Sequence, residues 1–368
     1  MIHNEMRKHG IKLVLGYTVE GFKEKDNGVE VLLKDNPSLQ ADMVVLAIGV
    51  TPDTALAKEA GLELGIKGSI VVNDRMETSV PDIYAAGDAV QVKHYVTGDD
   101  ALISLAGPAN KQGRIIADNI CGGDSHYLGS QGSSVIKVFD MTAATTGINE
   151  TNAKKSGLEV DTVILSPMSH AGYYPGGKVM TMKVVFEKET YRLLGAQIIG
   201  YEGVDKRIDV LATAIHAGLK ATQLKDLDLA YAPPYSSAKD PVNMAGFMID
   251  NIAKGTLKQW HLEDMDKISK DKSVVLLDVR TVGEFNRGHM DGFRNIPVDE
   301  LRERINEIEK GKPVYLICQS GLRSYIASRI LEGNGYETYN FSGGFRFYDA
   351  VVNDRALIER AYACGMDY

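Results

Sequence analysis

The sequence predicts an α/β protein with more than one domain, and three observations indicate this class. The chain has 368 residues, which is enough for two or three domains. Apolar runs of strand length alternate with segments of helical character along the chain. Hydrophobic residues make up 44% of the chain and charged residues 24%, as in ordinary globular proteins with a sizeable core.

Charge and cysteine usage narrow the functional classes. A net charge of −8 argues against nucleic acid and anionic membranes as partners, because both usually require a basic surface. The cysteines are Cys121, Cys318 and Cys364, without a C-x-x-C pair, so we expect no metal site and a reducing, cytoplasmic location. Residues 1–10 lack the apolar core of a signal peptide, and no apolar run is long enough to cross a bilayer.

The first part of the chain has the pattern of an α/β region. Strands are predicted at residues 11–15, 29–33, 43–48, 70–72 and 83–86, with a helix near residues 55–60. The last of these strands is expected to be buried and is followed by Gly87 and Asp88. Ligands of open α/β sheets bind beyond the carboxyl ends of strands, where a carboxylate can accept hydrogen bonds from sugar or polyol hydroxyls. Asp88 could equally cap a helix or a turn.

A helix and a third region follow. Pro108 suits the first turn of a helix that continues through Ile120, and Asn110 and Arg114 lie on one face of it because they are four residues apart. That face could also be a solvated surface. Strands at residues 134–139, 181–186 and 194–200 and a helix at residues 207–217 indicate an α+β unit.

The segment around Cys318 is the most informative one for function. Cys318 follows an apolar strand at residues 313–317 and comes just before a helix that continues at residues 325–331. The backbone amides of residues 319–324, the helix dipole and the Arg323 guanidinium are expected to surround the thiol. Such surroundings lower a cysteine pKa from about 8.5 to roughly 3.5–7.5, so Cys318 is the predicted nucleophile. The loop residues expected to hold a substrate are Gln319, Ser320, Gly321, Leu322 and Ser324.

Residues 260–368 resemble the rhodanese family of sulfurtransferases. The resemblance rests on the loop at residues 318–324, on residues 274–280, on Glu284-Phe285 and on residues 288–297. It implies an α/β domain with a parallel sheet, in which Cys318 carries sulfane sulfur as a persulfide stabilised by Arg323. Phosphatases of related fold have a loop that is one residue longer, and the six residues from Cys318 to Arg323 favour sulfur. The alternative is a buried apolar cysteine at the end of a strand.

Residues 78–89 and 47–53 resemble the FAD-dependent pyridine nucleotide-disulfide oxidoreductases. This resemblance implies that Asp88 grips the ribityl chain of FAD beside Gly87, and that Gly49 lies where the chain leaves the NAD(P)-binding domain. It further implies that Gly107 presents its backbone N–H towards the flavin.

The CoA-disulfide reductase branch of that family matches further residues. In this branch, residues at the positions of Asn110 and Arg114 contact coenzyme A. Tyrosines at the positions of Tyr173 and Tyr231, in loops 169–176 and 230–236, reach the redox site of the other subunit of a homodimer. Their phenols could donate hydrogen bonds to a leaving thiolate, although such loops could also only rigidify an interface.

Two expected features of the oxidoreductases are absent from the sequence. No G-x-G-x-x-G fingerprint occurs, and the redox cysteine that faces the flavin is missing. Cys121, at the end of its helix, and Cys364, in the tail, are not expected to replace it. Compared with the family, the chain is therefore expected to begin partway through the NAD(P)-binding domain, with incomplete FAD and NAD(P)H sites.

These inferences give a domain plan and a functional hypothesis. The expected domains are an NAD(P)-binding remnant (1–53), half of an FAD-binding domain (54–125), a dimerisation domain (126–253), a linker (254–262) and a rhodanese domain (263–368). The hypothesis is a CoA-disulfide, CoA-persulfide or polysulfide reductase fused to a sulfurtransferase, acting on thiols, CoA disulfide or persulfide and sulfane-sulfur donors. The alternatives are a sulfurtransferase on a dimerising scaffold and a sulfane-sulfur carrier.

Overall fold

The structure is a computed structural model that describes the backbone of residues 1–364 and the side chains of residues 1–354. The side chain of Cys364 lies outside the described residues. The chain forms two compact units. One contains Met1–Ile11 with Ser134–Leu357, and the other is built on Lys12–Ser133.

The unit built on residues 12–133 contains two small sheets and one long helix. Strands β1, β2 and β3 form an antiparallel meander, and β4, β5 and β6 form a second three-stranded sheet. The bounds are β1 Val19–Lys25, β2 Gly28–Leu33, β3 Asn36–Ala41, α2 Ala55–Glu59, β4 Ile70–Val71, β5 Val90–Lys93, β6 Asp100–Ala101 and α3 Ala106–Ile120. Helix α1 (Ile2–Lys8) precedes them in the chain and belongs to the other unit.

Three predicted strands of this unit do not form. Residues 11–15, 43–48 and 83–86 are not in strands, apart from isolated bridges near the last of these segments. Met43 is 76% exposed and Ile48 is 89% exposed. An apolar run without alternation is stable as a strand when neighbouring strands and helices cover both of its faces, and none of the described residues covers this run. Its hydrophobicity was therefore a misleading signal for strand formation in this chain.

The larger unit contains a five-stranded antiparallel sheet in the order β7-β8-β11-β10-β9, with α5 packed against β8 and β11. The predicted strands and helix of this region are confirmed, with shifts of a few residues at their ends. The bounds are β7 Ser134–Val138, β8 Met141–Gly147, α4 Glu150–Lys155, β9 Val160–Leu165, β10 Thr181–Glu187, β11 Leu193–Gly200, α5 Val204–His216 and α6 Pro241–Ala253.

The same unit contains a five-stranded parallel sheet in the order β12-β16-β15-β13-β14. Alternate side chains point to opposite faces: Leu316 and Cys318 pack in one core cluster, and Ile317 packs in another with Trp260. The bounds are β12 Gln259–Trp260, α7 Met265–Ile268, β13 Val275–Asp278, α8 Val282–Arg287, β14 Arg294–Asn295, β15 Val314–Ile317, α9 Leu322–Glu332, β16 Thr338–Phe341 and α10 Gly344–Cys364.

Direct hydrogen bonds join the two sheets of this unit. The Ile164 amide of β9 donates to Ser342 Oγ over 3.1 Å, and Gln259 Nε2 donates to the Thr162 carbonyl over 3.2 Å. Gln259 lies in the segment predicted as a linker, and in the structure it belongs to strand β12 of the parallel sheet. Within the described part of the chain, no helix has the length and the apolar character needed to span a bilayer.

Candidate functional site

The Cys318 side chain lies at the carboxyl end of β15, and the residue is fully buried. Its Sγ accepts two hydrogen bonds, from the Gly321 amide over 3.1 Å and from the Ser324 hydroxyl over 3.2 Å. Helix α9 begins at Leu322, so the sulfur faces the first turn of an 11-residue helix. Two donors and a helix N-terminus favour negative charge on the sulfur.

Two glycines allow the loop to take this shape. Gly321 has φ +100°, in the left-handed region, which lets its amide turn towards the sulfur. Gly344 has φ +67°, and a Cβ at this position would lie 2.6 Å from the Ser320 backbone nitrogen. The first turn of α10 also holds the loop, because the Phe345 amide donates to the Cys318 carbonyl over 2.8 Å.

Arg323 is held by a carboxylate that the sequence analysis did not assign a role. Its two terminal nitrogens donate to the two oxygens of Glu284, each over 2.7 Å. The hydrogen bonds from Arg323 lower the pKa of Glu284 to about 2. The guanidinium is thus bound to Glu284, and it is close enough to Cys318 to interact with it electrostatically. The Glu284-Phe285 pair quoted for the family resemblance was the only sequence signal for this contact.

Glu284 is itself fixed by the start of α8. Thr281 and Glu284 form a capping box, in which the Thr281 backbone nitrogen donates to Glu284 Oε2 over 3.0 Å and the Glu284 amide donates to Thr281 Oγ1 over 3.3 Å. The sequence Thr-x-x-Glu therefore positions a helix start, a carboxylate and, through that carboxylate, Arg323.

A second buried arginine lies beside the loop. Arg280 Nη2 donates to Asp278 Oδ2 over 2.6 Å, and the Arg280 guanidinium stacks 3.8 Å from the centre of the Phe345 ring. Its Nη1 reaches Gln319 Oε1 over 3.4 Å. The remaining predicted loop residues are Ser320, which is half-buried, and Leu322, which is 58% exposed.

The two predicted tyrosines lie together in the antiparallel-sheet region. The hydroxyls of Tyr173 and Tyr231 are 2.6 Å apart, and this hydrogen bond raises the pKa of Tyr231 above its ordinary value. Tyr231 also lines a cavity of about 630 Å³ together with His170 and Lys206. A phenol pair of this kind can donate a proton or a hydrogen bond into the neighbouring space.

The residues predicted to hold a flavin lie in the unit built on residues 12–133. Gly87 and Asp88 begin a short 3₁₀ turn, and the Gly87 amide donates to Gln112 Oε1 on α3 over 2.7 Å. Asp88 and Gly107 are exposed, and Gly49 lies in an exposed coil with φ +90°. These residues fit at most the ribityl end of a flavin. They do not make a complete dinucleotide site, because the sequence contains no glycine-rich loop for the pyrophosphate.

The candidate coenzyme A residues and Cys121 also lie on α3. Asn110 Nδ2 donates back to the Ala106 carbonyl over 2.8 Å, and the Arg114 side chain is 85% exposed and 3.8 Å from Asp118. Cys121 is exposed at the carboxyl end of the helix.

Comparison with protein families agrees with this division of the chain. Three family models match: "Pyridine nucleotide-disulphide oxidoreductase" over residues 1–113, its "dimerisation domain" over residues 133–241, and "Rhodanese-like domain" over residues 261–350. The chain joins pyridine nucleotide-disulphide oxidoreductase sequence to a rhodanese-like domain. Both predicted resemblances are confirmed, as is the mixed α/β fold with a parallel sheet. The bounds of the five predicted segments stay a prediction.

Curated relatives extend the likeness. The "NAD(P)H sulfur oxidoreductase (CoA-dependent)" of Pyrococcus abyssi is 38% identical over 66% of this chain and 54% of that protein. A "Coenzyme A disulfide reductase" of Staphylococcus aureus is 36% identical over 67% of this chain and 55% of that protein. The chain thus spans about half the length of these relatives.

Solved structures resemble both the oxidoreductase part and the rhodanese-like part. Reduced Bacillus anthracis CoADR-RHD has 46% identity and a TM-score of 0.92, covering 96% of this chain and 63% of that one. The NAD-dependent persulfide reductase from A. fulgidus has 40% identity and a TM-score of 0.86, covering 94% of this chain and 63% of that one.

Proposed function

We propose that the rhodanese-like domain of this chain is a sulfurtransferase with Cys318 as its nucleophile. The observation that carries the proposal is the pair of hydrogen bonds from Gly321 and Ser324 to Sγ at the N-terminus of α9. These donors stabilise negative charge on a thiolate and on the persulfide that replaces it.

The reaction has two steps at one sulfur atom. The Cys318 thiolate attacks the outer sulfur of a donor such as thiosulfate, the S–S bond of the donor breaks, and sulfite leaves with the bonding electron pair. An acceptor thiolate or cyanide then attacks the outer sulfur of the persulfide, and the Cys318 thiolate leaves. Gly321 and Ser324 stabilise charge on Sγ, and Arg323, fixed by Glu284, adds positive potential near the loop.

The test is thiocyanate formation from thiosulfate and cyanide. We expect Cys318→Ala to lower kcat/KM by at least about 10³-fold, because the nucleophile is removed. Cys121→Ala is the matched control and should keep wild-type activity. Wild-type rates in Cys318→Ala would refute the proposal. A persulfide on Cys318 of the wild type without turnover would favour the carrier alternative.

We also propose that the oxidoreductase part of the chain belongs to a reductase of CoA disulfides, CoA persulfides or polysulfides. We propose that this part assembles as a homodimer. The Tyr173–Tyr231 hydrogen bond and the match to the dimerisation domain support this proposal. In such a dimer the tyrosines would donate hydrogen bonds to a leaving thiolate of a bound disulfide. In such reductases, flavin and NAD(P)H would supply the electrons. We assign no electron-transfer step to this chain, because its dinucleotide site is incomplete. A reducing cytoplasm would suit both activities.

Absorbance and mass measurements test the reductase proposal. Natively purified protein with bound flavin and NAD(P)H-dependent reduction of CoA disulfide would support it. Colourless protein that is dimeric and still transfers sulfur would instead support the scaffold alternative. Analytical ultracentrifugation of the same sample measures the dimer directly.

A further inference from the structure

A cavity of about 770 Å³ opens beside the Cys318 loop. Helix α1, strands β10 and β11 of the antiparallel sheet, and the rhodanese-like domain line it together, and all of these belong to one compact unit. Gln319, the residue after Cys318, contributes to its wall. The space next to the sulfurtransferase loop is therefore built partly from the oxidoreductase portion of the chain.

Most charged groups in the wall already have partners. Glu5 accepts a hydrogen bond from the Tyr201 hydroxyl over 2.8 Å and lies 3.8 Å from Lys8. Glu284 binds Arg323, and Arg280 binds Asp278, as described above.

Two arginines in the wall differ from these groups because their guanidinium groups are not bound to an acceptor among the described residues. Among the described residues, no carboxylate or carbonyl accepts a hydrogen bond from the guanidinium groups of Arg287 and Arg346, and both residues are exposed. Asp349, also in the wall, accepts a hydrogen bond from the Asn353 amide over 2.9 Å and is the remaining anion. The wall thus offers two guanidinium groups that are available to a ligand.

Both arginines are fixed to the elements that hold the active loop. The Arg346 backbone amide donates to the Gln319 carbonyl over 3.2 Å. Arg287 ends α8, the helix whose first turn contains Glu284, the partner of Arg323. A ligand bound by these guanidinium groups would therefore lie beside the loop that carries the sulfur.

We propose that this cavity recruits acceptor thiols that carry a second negative group, such as a carboxylate or a phosphate. The inference rests on the proposed sulfurtransferase function. The acceptor thiolate attacks the outer sulfur of the Cys318 persulfide, so that an acceptor S–S bond forms and the Cys318 S–S bond breaks. Both reactants are anions, and nearby guanidinium groups raise the local concentration of an anionic acceptor and reduce the repulsion.

The test is a single-turnover transfer from protein whose Cys318 has been converted to the persulfide with thiosulfate and then desalted. The acceptors are 3-mercaptopropionate, 2-mercaptoethanol and cysteamine, which differ in the charge of the second group. We expect Arg287→Gln with Arg346→Gln to slow transfer to 3-mercaptopropionate about fivefold at low salt, from about 1 kcal/mol of lost charge interaction. Transfer to 2-mercaptoethanol should stay within about twofold, and transfer to cysteamine should not fall.

Two further variants complete the design. Arg302→Gln removes one positive charge, half the change made by the double variant, at an exposed arginine of the same domain outside this cavity, and should leave all three rates unchanged. Thr181→Glu, on the β10 side of the wall, should slow only the anionic acceptor.

The outcomes separate this inference from the proposed function. If thiosulfate forms no persulfide on wild-type Cys318, the sulfurtransferase proposal fails and the inference fails with it. If the persulfide forms and the double variant transfers sulfur to the three thiols in wild-type proportions, the inference alone is overturned.

Discussion

The rhodanese-like domain and the unit built on residues 12–133 differ in how they treat their apolar segments. In the first, Leu277 and Leu316 lie on adjacent parallel strands and are fully buried. In the second, Val45 and Leu46 are 75% and 65% exposed, and the segment that contains them forms no strand. Both regions carry sequence motifs that match their families. A sequence motif forms a defined site only when a fully paired sheet supports it.

Truncation of an apolar side chain should reduce the stability of the rhodanese-like domain far more than that of the unit built on residues 12–133. We expect Leu316→Ala to destabilise the rhodanese-like domain by about 2–5 kcal/mol, because it leaves a cavity in a packed core. The matched change Val45→Ala should alter stability by no more than about 0.5 kcal/mol, because the side chain is exposed.

Chemical unfolding followed by circular dichroism measures both effects. Fluorescence adds regional information, because the single tryptophan, Trp260, is buried in the core of the parallel sheet with Ile317 and Phe341. A large cost of Val45→Ala would mean that residues 43–50 are covered in solution, and the contrast between the regions would disappear.

The loop around Cys318 was predictable because its determinants are close in sequence. The nucleophile, the left-handed Gly321 and the start of α9 all lie between Cys318 and Leu322. Apolar runs likewise predicted β15, β10 and β11, since those segments are paired and largely buried. They also predicted β7, which is paired although Val135 and Ile136 are exposed.

Contacts between distant residues were less accessible from the sequence. Glu284 and Arg323 are 39 positions apart, and nothing in either local pattern specifies their pairing. Tyr173 and Tyr231 are 58 positions apart and were brought together only by the family resemblance. Residues 43–48 were wrongly predicted as a strand. Their hydrophobicity indicates a tendency to be buried, but a buried strand also needs neighbouring strands or helices that cover it.

A second prediction concerns Gly344, which links α10 to the active loop. We expect Gly344→Ala to lower kcat/KM for thiosulfate by more than about tenfold, because the new Cβ would lie 2.6 Å from the Ser320 nitrogen and displace the loop. Gly335→Ala is the matched control: Gly335 also has a left-handed φ, +82°, but its Cβ would meet no atom within 4 Å. Both variants should lose about 1–3 kcal/mol of stability from backbone strain, and only the first should lose activity. Equal activities would show that the loop tolerates displacement.

The third prediction tests Glu284 as a positioning residue. Glu284→Gln keeps the capping box but removes the charge that fixes Arg323, so we expect kcat/KM to fall about tenfold. Thr281→Val removes the capping hydroxyl but keeps the charge pair and the hydrogen bond from the backbone nitrogen of residue 281 to Glu284, so its activity should fall less than that of Glu284→Gln. Because the pKa of Glu284 is about 2, below its ordinary value of 4.5, the pair is complete above pH 4.5 and is lost only as the pH falls towards 2.

The pH dependence separates positioning from proton transfer. From pH 5 to 8 the wild type and Glu284→Gln should give profiles of the same shape at different heights, since Glu284 stays ionised throughout. A profile that loses an ionisation in the variant would show that Glu284 itself transfers a proton. Glu284→Asp should recover part of the activity.

The smallest expected effect is in the antiparallel-sheet region, at the hydrogen bond between Tyr173 and Tyr231. This bond raises the pKa of Tyr231 above 10.0, so it is fully present below pH 10 and is lost as the pH rises through the higher value. Tyr173→Phe removes the bond and should let Tyr231 titrate at lower pH. Tyr235→Phe, at a tyrosine that is 72% exposed, is the matched control and should leave that titration unchanged. Selective tyrosine labelling and nuclear magnetic resonance follow the single residue, and an unshifted titration in Tyr173→Phe would show that the two phenols do not interact in solution.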